Sequence, residues 1–456
     1  MPPLMSERGS WRTHTGFIFA AAGSAVGLGN IWGFPTRVGQ GGGAAFVVVY
    51  LVCIALICLP IMLSEIAIGR RTQKSPVASF LLLSPGTRWW LTGALGVLAG
   101  IGILSFYSVI AGWTVAYAWF SLNGSLTAGQ QGARDFFSEF TANGPLSVGL
   151  AFLILSATAA VLLGGVRSGI ERVTKALMPA LIVLLLVLAA RALTLPGASA
   201  GLSYYLRPDI SKLLDVSIYN SALGQAFFSL SLGMGAILTY GSYLGKRTGI
   251  AAAALWVVLL DTSIALLAGF IIFPAGFSLS GFDPDTSGPG LIFAVLPQLF
   301  ATLPGGQMFG AAFFVLLTMA ALTSTISLLE VPVSHCVDTY NWSRKRSVLT
   351  VTCGVFMLAI PSALGNGAVP ILTNLPGFGL DFLTLMATVW NDFALPIGGF
   401  LTALFVGWIW QVDRALEELL YNYAWFPGQN LWSFLIRWIC PAGIGLIVGW
   451  TFYSMF

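Results

Sequence analysis

The chain has 456 residues, of which 57% are apolar and 8% charged, with a mean hydropathy of +0.87. Soluble globular chains carry about 25% charged residues, so this composition excludes a water-soluble fold. The net charge of +4 reads as membrane topology and gives no sign of a nucleic-acid partner.

Windows of roughly 20 apolar residues, the length an α-helix needs to cross a bilayer, recur along the whole chain. They lie near 14–38, 44–70, 90–121, 146–165, 173–192, 218–245, 249–277, 306–340, 347–363, 380–411 and 431–455. Eleven such windows, without the short alternating segments of a β-barrel, predict an all-α integral membrane protein. The third, eighth and tenth windows exceed 30 residues, which suits tilted spans or helices that continue into water. No composition shift marks a soluble domain, so the chain is expected to form one membrane domain over 1–456. The first window follows Arg8 and Arg12 but runs into Gly27-Leu28-Gly29-Asn30 and Pro35, flanks unlike those of a cleaved signal peptide.

With the N-terminus inside, fifteen Lys and Arg fall on the cytoplasmic side and five on the outer side, while Arg437 lies within the last window. The positive-inside rule therefore predicts a cytoplasmic N-terminus in the cell membrane. An odd number of spans places the C-terminus outside. The five cysteines (Cys53, Cys58, Cys336, Cys353, Cys440) show no metal-ligand spacing and read as buried, inert thiols.

Two windows interrupt themselves. The first contains Gly23-Ser24-Ala25-Val26-Gly27-Leu28-Gly29-Asn30, and the sixth contains Ser229-Leu230-Ser231-Leu232-Gly233-Met234-Gly235. Unwound backbone at membrane depth is tolerated only beside a cavity or protein. Paired broken helices at matching places in two halves point to a transporter site near the midplane. The same glycines also suit close helix packing, and the pattern alone leaves both readings open. At a break, the carbonyls of Gly23, Ala25 and Val26 can face a cation, while the N–H groups of Leu28 and Gly29 can receive an anion. Span 7 places Asp261 in an apolar run, and burial cost makes it a functional candidate. Span 8 carries Thr323-Ser324-Thr325, hydroxyls that suit either a site or back-bonding to their own helix.

The run Ala20-Ala21-Ala22-Gly23-Ser24-Ala25-Val26-Gly27-Leu28-Gly29-Asn30-Ile31-Trp32, then Phe34-Pro35 and Gly41-Gly42-Gly43, resembles the first-helix signature of the neurotransmitter:sodium symporter family. Ser229–Gly235 and Leu322-Thr323-Ser324 resemble its sixth and eighth helices. The resemblance implies the LeuT-type 5+5 inverted repeat with helices 1 and 6 broken, as in the prokaryotic amino-acid transporter branch. Repeat one would cover about 14–192, repeat two about 218–411, and an extra helix about 431–455.

By that resemblance, two sodium sites are expected. One would use Ala25, Asn30, Ser229 and Asp261 together with the substrate carboxylate; the other, Gly23, Val26, Ala320, Thr323 and Ser324. The substrate carboxylate would meet Leu28, Gly29 and Tyr107, and its ammonium the carbonyls near Ala25 and Phe228 with Ser231. Ile103, Tyr107, Phe228, Met234, Ser324 and Leu328 would wall a pocket for a neutral, apolar amino acid. Relatives that carry monoamines place an aspartate at the position of Gly27, so the glycine implies substrates that bring their own carboxylate. Arg8, Trp11, Tyr243 and Asp338 resemble a cytoplasmic gate.

Two departures from the family pattern stand out. The arginine that usually precedes Phe-Pro is Gly33, leaving Arg37 as its substitute, with Asp381 and Asp392 both open as partner. Chloride-dependent members hold an anion among residues matching Tyr50, Gln225, Ser229 and Asp261, and some chloride-independent ones supply a glutamate where this chain has Ala265. Asp261 is expected to take the place of that chloride. The function these features imply is sodium-coupled symport of amino acids, with spans 1, 2, 6 and 7 rocking against 3, 4, 8 and 9. Two other readings fit the same residues: a proton-coupled or exchanging transporter that uses Asp261 as proton carrier, and a substrate sensor that binds without pumping. No nucleophilic triad or phosphate loop suggests an enzyme.

Overall fold

The structure is a computed structural model that describes residues 10–127, 132–246, 248–278, 282–284, 291–297, 300, 305–421 and 426–454. Among these, nine helices are long and apolar enough to cross a membrane: Ala44–Thr72, Trp90–Leu122, Gly144–Leu163, Val166–Leu193, Ile250–Gly276, Gly306–Tyr340, Arg344–Leu364, Phe382–Ile409 and Gln429–Trp450. A tenth span is the pair His14–Ala25 and Gly29–Gln40, bent by 49°. The pair Val216–Ser229 and Ala236–Ser242 completes eleven in the order expected, and the spans are numbered 1–11 below. Span 10 ends at Ile409, shorter than its 380–411 window, because Gln411 turns left-handed (φ 74°) and a separate amphipathic helix Val412–Leu419 begins. Of the cysteines, Cys336 is half-buried and Cys353 exposed, so the expectation of burial holds for Cys53, Cys58 and Cys440 only.

The first break has a local cause. The Thr13 hydroxyl caps the first half-helix by accepting from the Gly16 N–H at 3.0 Å. That half ends at Ala25, where Val26 swings to extended backbone (φ −72°, ψ 107°). The second half opens with the Asn30 side chain, whose Oδ1 accepts the Gly27 N–H at 3.0 Å and so satisfies a donor that the missing turn leaves over. In span 6 the left-handed residues Ser231, Gly233 and Gly235 (φ 55°, 77° and 73°) halt the helix between Ser229 and Ala236. Gly233 cannot carry a side chain, because a Cβ there would overlap the Leu395 carbonyl of span 10.

Three acidic groups inside the protein are held by partners on other elements. Glu418, fully buried on the helix Val412–Leu419, accepts Arg70 Nε at 2.6 Å and Lys246 Nζ at 2.8 and 3.0 Å. Arg70 also reaches the Glu418 carbonyl and the Thr248 carbonyl, so one ion hub ties span 2, the 6–7 connection and the helix after span 10. Removing one member of a buried pair costs about 3–5 kcal/mol because the other charge is stranded. Glu418→Ala is therefore expected to lower the unfolding free energy by about that amount, read as a drop in Tm in detergent. A Tm within a degree or so of the parent would remove this hub from the account of the fold. Glu330 of span 8 is held in the same way by Arg344, with Nη2–Oε2 2.6 Å and Nη1–Oε1 3.0 Å. Glu65 of span 2 accepts the Gly233 N–H at 2.8 Å and so fixes the break of span 6 from the side.

Candidate functional site

The two breaks face each other at the centre of the bundle, with spans 3, 7 and 8 around them. Between them lies a small, nearly closed pocket lined by Ser24, Ala25, Gly27, Gly29, Ile103, Tyr107, Phe228, Ser231, Met234, Ser324 and Leu328. Every residue expected around the substrate is in this lining except Leu28, whose N–H donates to the Tyr107 hydroxyl at 2.9 Å. Tyr107 and Phe228 meet edge to face with centroids 6.4 Å apart. One end of the cavity is therefore backbone and hydroxyl; the other is Ile103, Phe228, Met234 and Leu328.

Ser24 is the lining residue the sequence reading missed. Its carbonyl accepts the Ser231 hydroxyl at 2.8 Å and the Ser324 hydroxyl at 3.2 Å, joining both breaks to span 8. The signal was present in the sequence: Ser24 lies between Gly23 and Ala25, whose carbonyls were already candidates.

Beside the cavity is a cluster of oxygen groups around Asp261, which is fully buried in span 7. Its Oδ1 accepts Asn30 Nδ2 at 2.7 Å, and the Ser229 hydroxyl reaches its two oxygens at 3.1 and 2.9 Å. Tyr50 donates to Ser229 at 3.4 Å, and Gln225 Nε2 donates to the Gly29 carbonyl at 2.7 Å. These groups converge as expected, with one difference in detail. The Asn30 oxygen serves the Gly27 N–H, so the same atom would have to cap the half-helix and face a cation; a carbonyl oxygen has two lone pairs for this. Two of these groups, the Asn30 amide and the Ser229 hydroxyl, donate to the carboxylate, an environment suited to an anion.

A second oxygen group lies across the first break. The Thr323 hydroxyl is 3.5 Å from the Val26 carbonyl and 2.9 Å from that of Ala320. The Ser324 hydroxyl is 3.4 Å from both. Gly23 packs against this pair: a Cβ there would sit 3.4 Å from the Thr323 Cβ. The hydroxyls thus bond to their own helix through the Ala320 carbonyl and at the same time face the Val26 carbonyl at the break. Oxygen-only groups of this kind suit hard monovalent cations and not transition metals.

Gly27 is sealed by its neighbours. A Cβ at this position would overlap the Ser324 hydroxyl and lie 2.5 Å from the Tyr107 hydroxyl. No side-chain carboxylate can be built there without displacing both.

On the face of the membrane that carries the N-terminus, Trp11 Nε1 donates to the Tyr240 carbonyl at 2.9 Å, and the Trp11 N–H to the Tyr243 carbonyl at 3.2 Å. The Tyr243 hydroxyl donates to Glu330 at 2.6 Å, which brings the Glu330–Arg344 pair into the same network. Asp338 accepts the Ser75 N–H at 2.6 Å. Arg8 lies outside the described residues. On the opposite face, Arg37 meets Asp392 at 2.9 Å, and its Nη1 reaches the Ser221 carbonyl at 3.2 Å. This settles the open choice, because Asp381 instead caps the start of span 10 through the Thr384 N–H at 2.8 Å. The place vacated at Gly33 borders Gln225, whose Oε1 would be 3.1 Å from a Cβ there.

Residues 8–134 and 130–455 match the sodium:neurotransmitter symporter family. The chain is 36% identical over 448 residues to the uncharacterised sodium-dependent transporter YhdH of Bacillus subtilis (strain 168), covering 96% of both chains. It is 32% identical over 449 residues to an uncharacterised sodium-dependent transporter of Haemophilus influenzae, covering 95% of this chain and 96% of that one. The crystal structure of MhsT in complex with L-phenylalanine superposes with a TM-score of 0.91 at 45% identity, covering 98% of this chain and 100% of that one. That likeness carries the LeuT fold, with its five-plus-five inverted repeat, along the whole chain. Matched in sequence and in structure over nearly its full length, the chain belongs to the sodium:neurotransmitter symporter family and is a sodium-dependent transporter, not an enzyme.

Proposed function

We propose that this transporter is a symporter of neutral, apolar amino acids, driven by sodium bound at two sites and working by alternating access without chloride. The observation that carries the reading is the shape of the central cavity. Its apolar end takes a hydrocarbon or aromatic side chain, and its other end presents unwound backbone beside the Asp261 cluster. The bound L-phenylalanine of MhsT, similar over its whole length, supports the same class of cargo. Gly27 sharpens it: with no room for a carboxylate on the protein, the ligand's own carboxylate completes the first sodium site beside Ala25, Asn30, Ser229 and Asp261. The second site is Gly23, Val26, Ala320, Thr323 and Ser324. Asp261 supplies the fixed charge that chloride brings in other members. Its donors favour that role over the proton-carrier reading, since Asn30 and Ser229 already serve a carboxylate.

The charge asymmetry supports a cell-membrane protein with Trp11, Tyr243, Glu330 and Arg344 on the cytoplasmic side and Arg37–Asp392 outside. Arg37–Asp392 then closes the outer mouth one helical turn from the family's usual place. Both side chains are about a third exposed or less (27% and 33%), so the pair contributes under about 1 kcal/mol to stability. Asp392→Asn is expected to leave Tm nearly unchanged but to speed substrate escape to the outside several-fold. Unchanged release rates in a scintillation proximity assay would remove the pair from the gate.

The functional test is a competition panel of all common amino acids in a sodium-dependent binding assay. The reading requires apolar amino acids to compete and amines without a carboxylate to fail. Equal competition by phenethylamine and phenylalanine would overturn it.

A further inference from the structure

A second pocket lies away from the transport site. It is an open cleft lined by Arg12, Arg167, Ser168, Glu171, Arg172 and Lys175. It sits where the segment before span 1 crosses the first turns of span 5. Four of its six walls are cationic and one is acidic. That acid is already spoken for: Glu171 accepts Lys175 Nζ at 2.6 Å, the Arg12 N–H at 2.8 Å and the Thr13 hydroxyl at 3.0 Å. Arg167 uses its guanidinium on the Ser10 carbonyl and hydroxyl, both at 2.9 Å, and these partners are neutral. Among the described residues, Arg12, Arg167 and Arg172 make no ion pair with any acid. Glu171 and Lys175 cancel, and three guanidiniums remain around one opening.

Three like charges around a cavity repel unless an anion lies among them. Guanidinium is the group that best matches phosphate, because its fork gives two parallel hydrogen bonds to two oxygens. The cavity is level with the start of span 5 at Val166, the depth at which lipid headgroups meet a helix end, and basic pockets at that depth hold anionic headgroups. We infer that this cavity binds a phosphate-bearing ligand, either the headgroup of an anionic phospholipid or free phosphate. The site joins Arg12, on the segment that leads into the first half-helix, to Arg172 on span 5. An occupied cavity therefore pins the N-terminal segment in the position seen here.

The test uses the full-length protein in detergent and reads binding, not transport, so it stands or falls apart from the transport reading. Arg12 and Arg172 make no ion pair here, and Arg12→Gln with Arg172→Gln preserves the size of both side chains. Wild type, this double variant and a control double variant, Lys345→Gln with Arg346→Gln, are mixed with phosphatidylglycerol or phosphatidylcholine, and retained lipid is counted by native mass spectrometry. A parallel arm titrates inorganic phosphate against chloride at constant ionic strength and follows Tm. The expected result is phosphatidylglycerol binding weakened about thirtyfold by the first variant and unchanged by the control. If phosphatidylglycerol and phosphatidylcholine bind alike but inorganic phosphate raises the Tm of wild type and not of the first variant, the ligand is free phosphate and the site stands. If the first variant matches wild type in both arms, or the control loses as much as the first variant, the proposal fails.

Discussion

Asn30→Ala is expected to weaken sodium and substrate binding together, by about 2–4 kcal/mol or roughly 30- to 1000-fold. The side chain does two jobs with one amide. Its oxygen takes the Gly27 N–H at the start of the second half-helix, and its nitrogen donates to the Asp261 carboxylate at 2.7 Å and carbonyl at 3.1 Å. Alanine leaves a buried N–H and a buried carboxylate each short of a partner, and hydrogen bonds to charged groups are worth about 1.5–3 kcal/mol. In the proposed geometry the same amide oxygen is a sodium ligand next to the substrate carboxylate. Sodium and substrate share that site, so both affinities are expected to fall, and any loss of coupling between them is the same seen from either ligand. Sodium titrations at fixed substrate, and substrate titrations at fixed sodium, measure both. Loss of sodium dependence with unchanged substrate affinity would break the shared-site model.

Asp261→Ala is expected to abolish uptake in gluconate and to return part of it when chloride is supplied. A unit charge about 4 Å from a cation, at an effective dielectric near 20, is worth about 4 kcal/mol, or about 1000-fold. Without the carboxylate, sodium at the first site loses that compensation. Tyr50, Gln225, Ser229 and Asn30 remain around the vacated volume with hydroxyl and amide donors. Chloride can occupy a pocket of that kind. Asp261→Asn, which retains the volume, is expected to lose uptake without regaining it in chloride. The parent protein should transport equally in chloride and in gluconate, and a collapse in gluconate with Asp261 intact would refute the substitution.

The central site was legible because its residues break local rules. Glycines inside apolar windows, an aspartate in a span and hydroxyls in a row each conflict with a lipid-facing helix. The ion pairs are legible only in part: the sequence leaves Arg37 between Asp381 and Asp392, and nothing local ties Arg70 to Glu418, which lies hundreds of residues away. The burial argument that singles out Asp261 applies with equal force to Glu65 and Glu330, and would have found both. Arg344 counts among the fifteen inside charges, and no count of charges reveals that it reaches 2.6 Å from Glu330. Ser231 shows the other limit: a serine at φ 55° is imposed by the tertiary contact of its hydroxyl with Ser24, which no local propensity encodes.

The most direct test of the account is uptake of labelled phenylalanine into proteoliposomes under an imposed inward sodium gradient in chloride-free buffer. The account predicts accumulation above the external concentration, lost when potassium replaces sodium outside. Accumulation driven equally by a proton gradient without sodium, or binding with no accumulation at all, would contradict it.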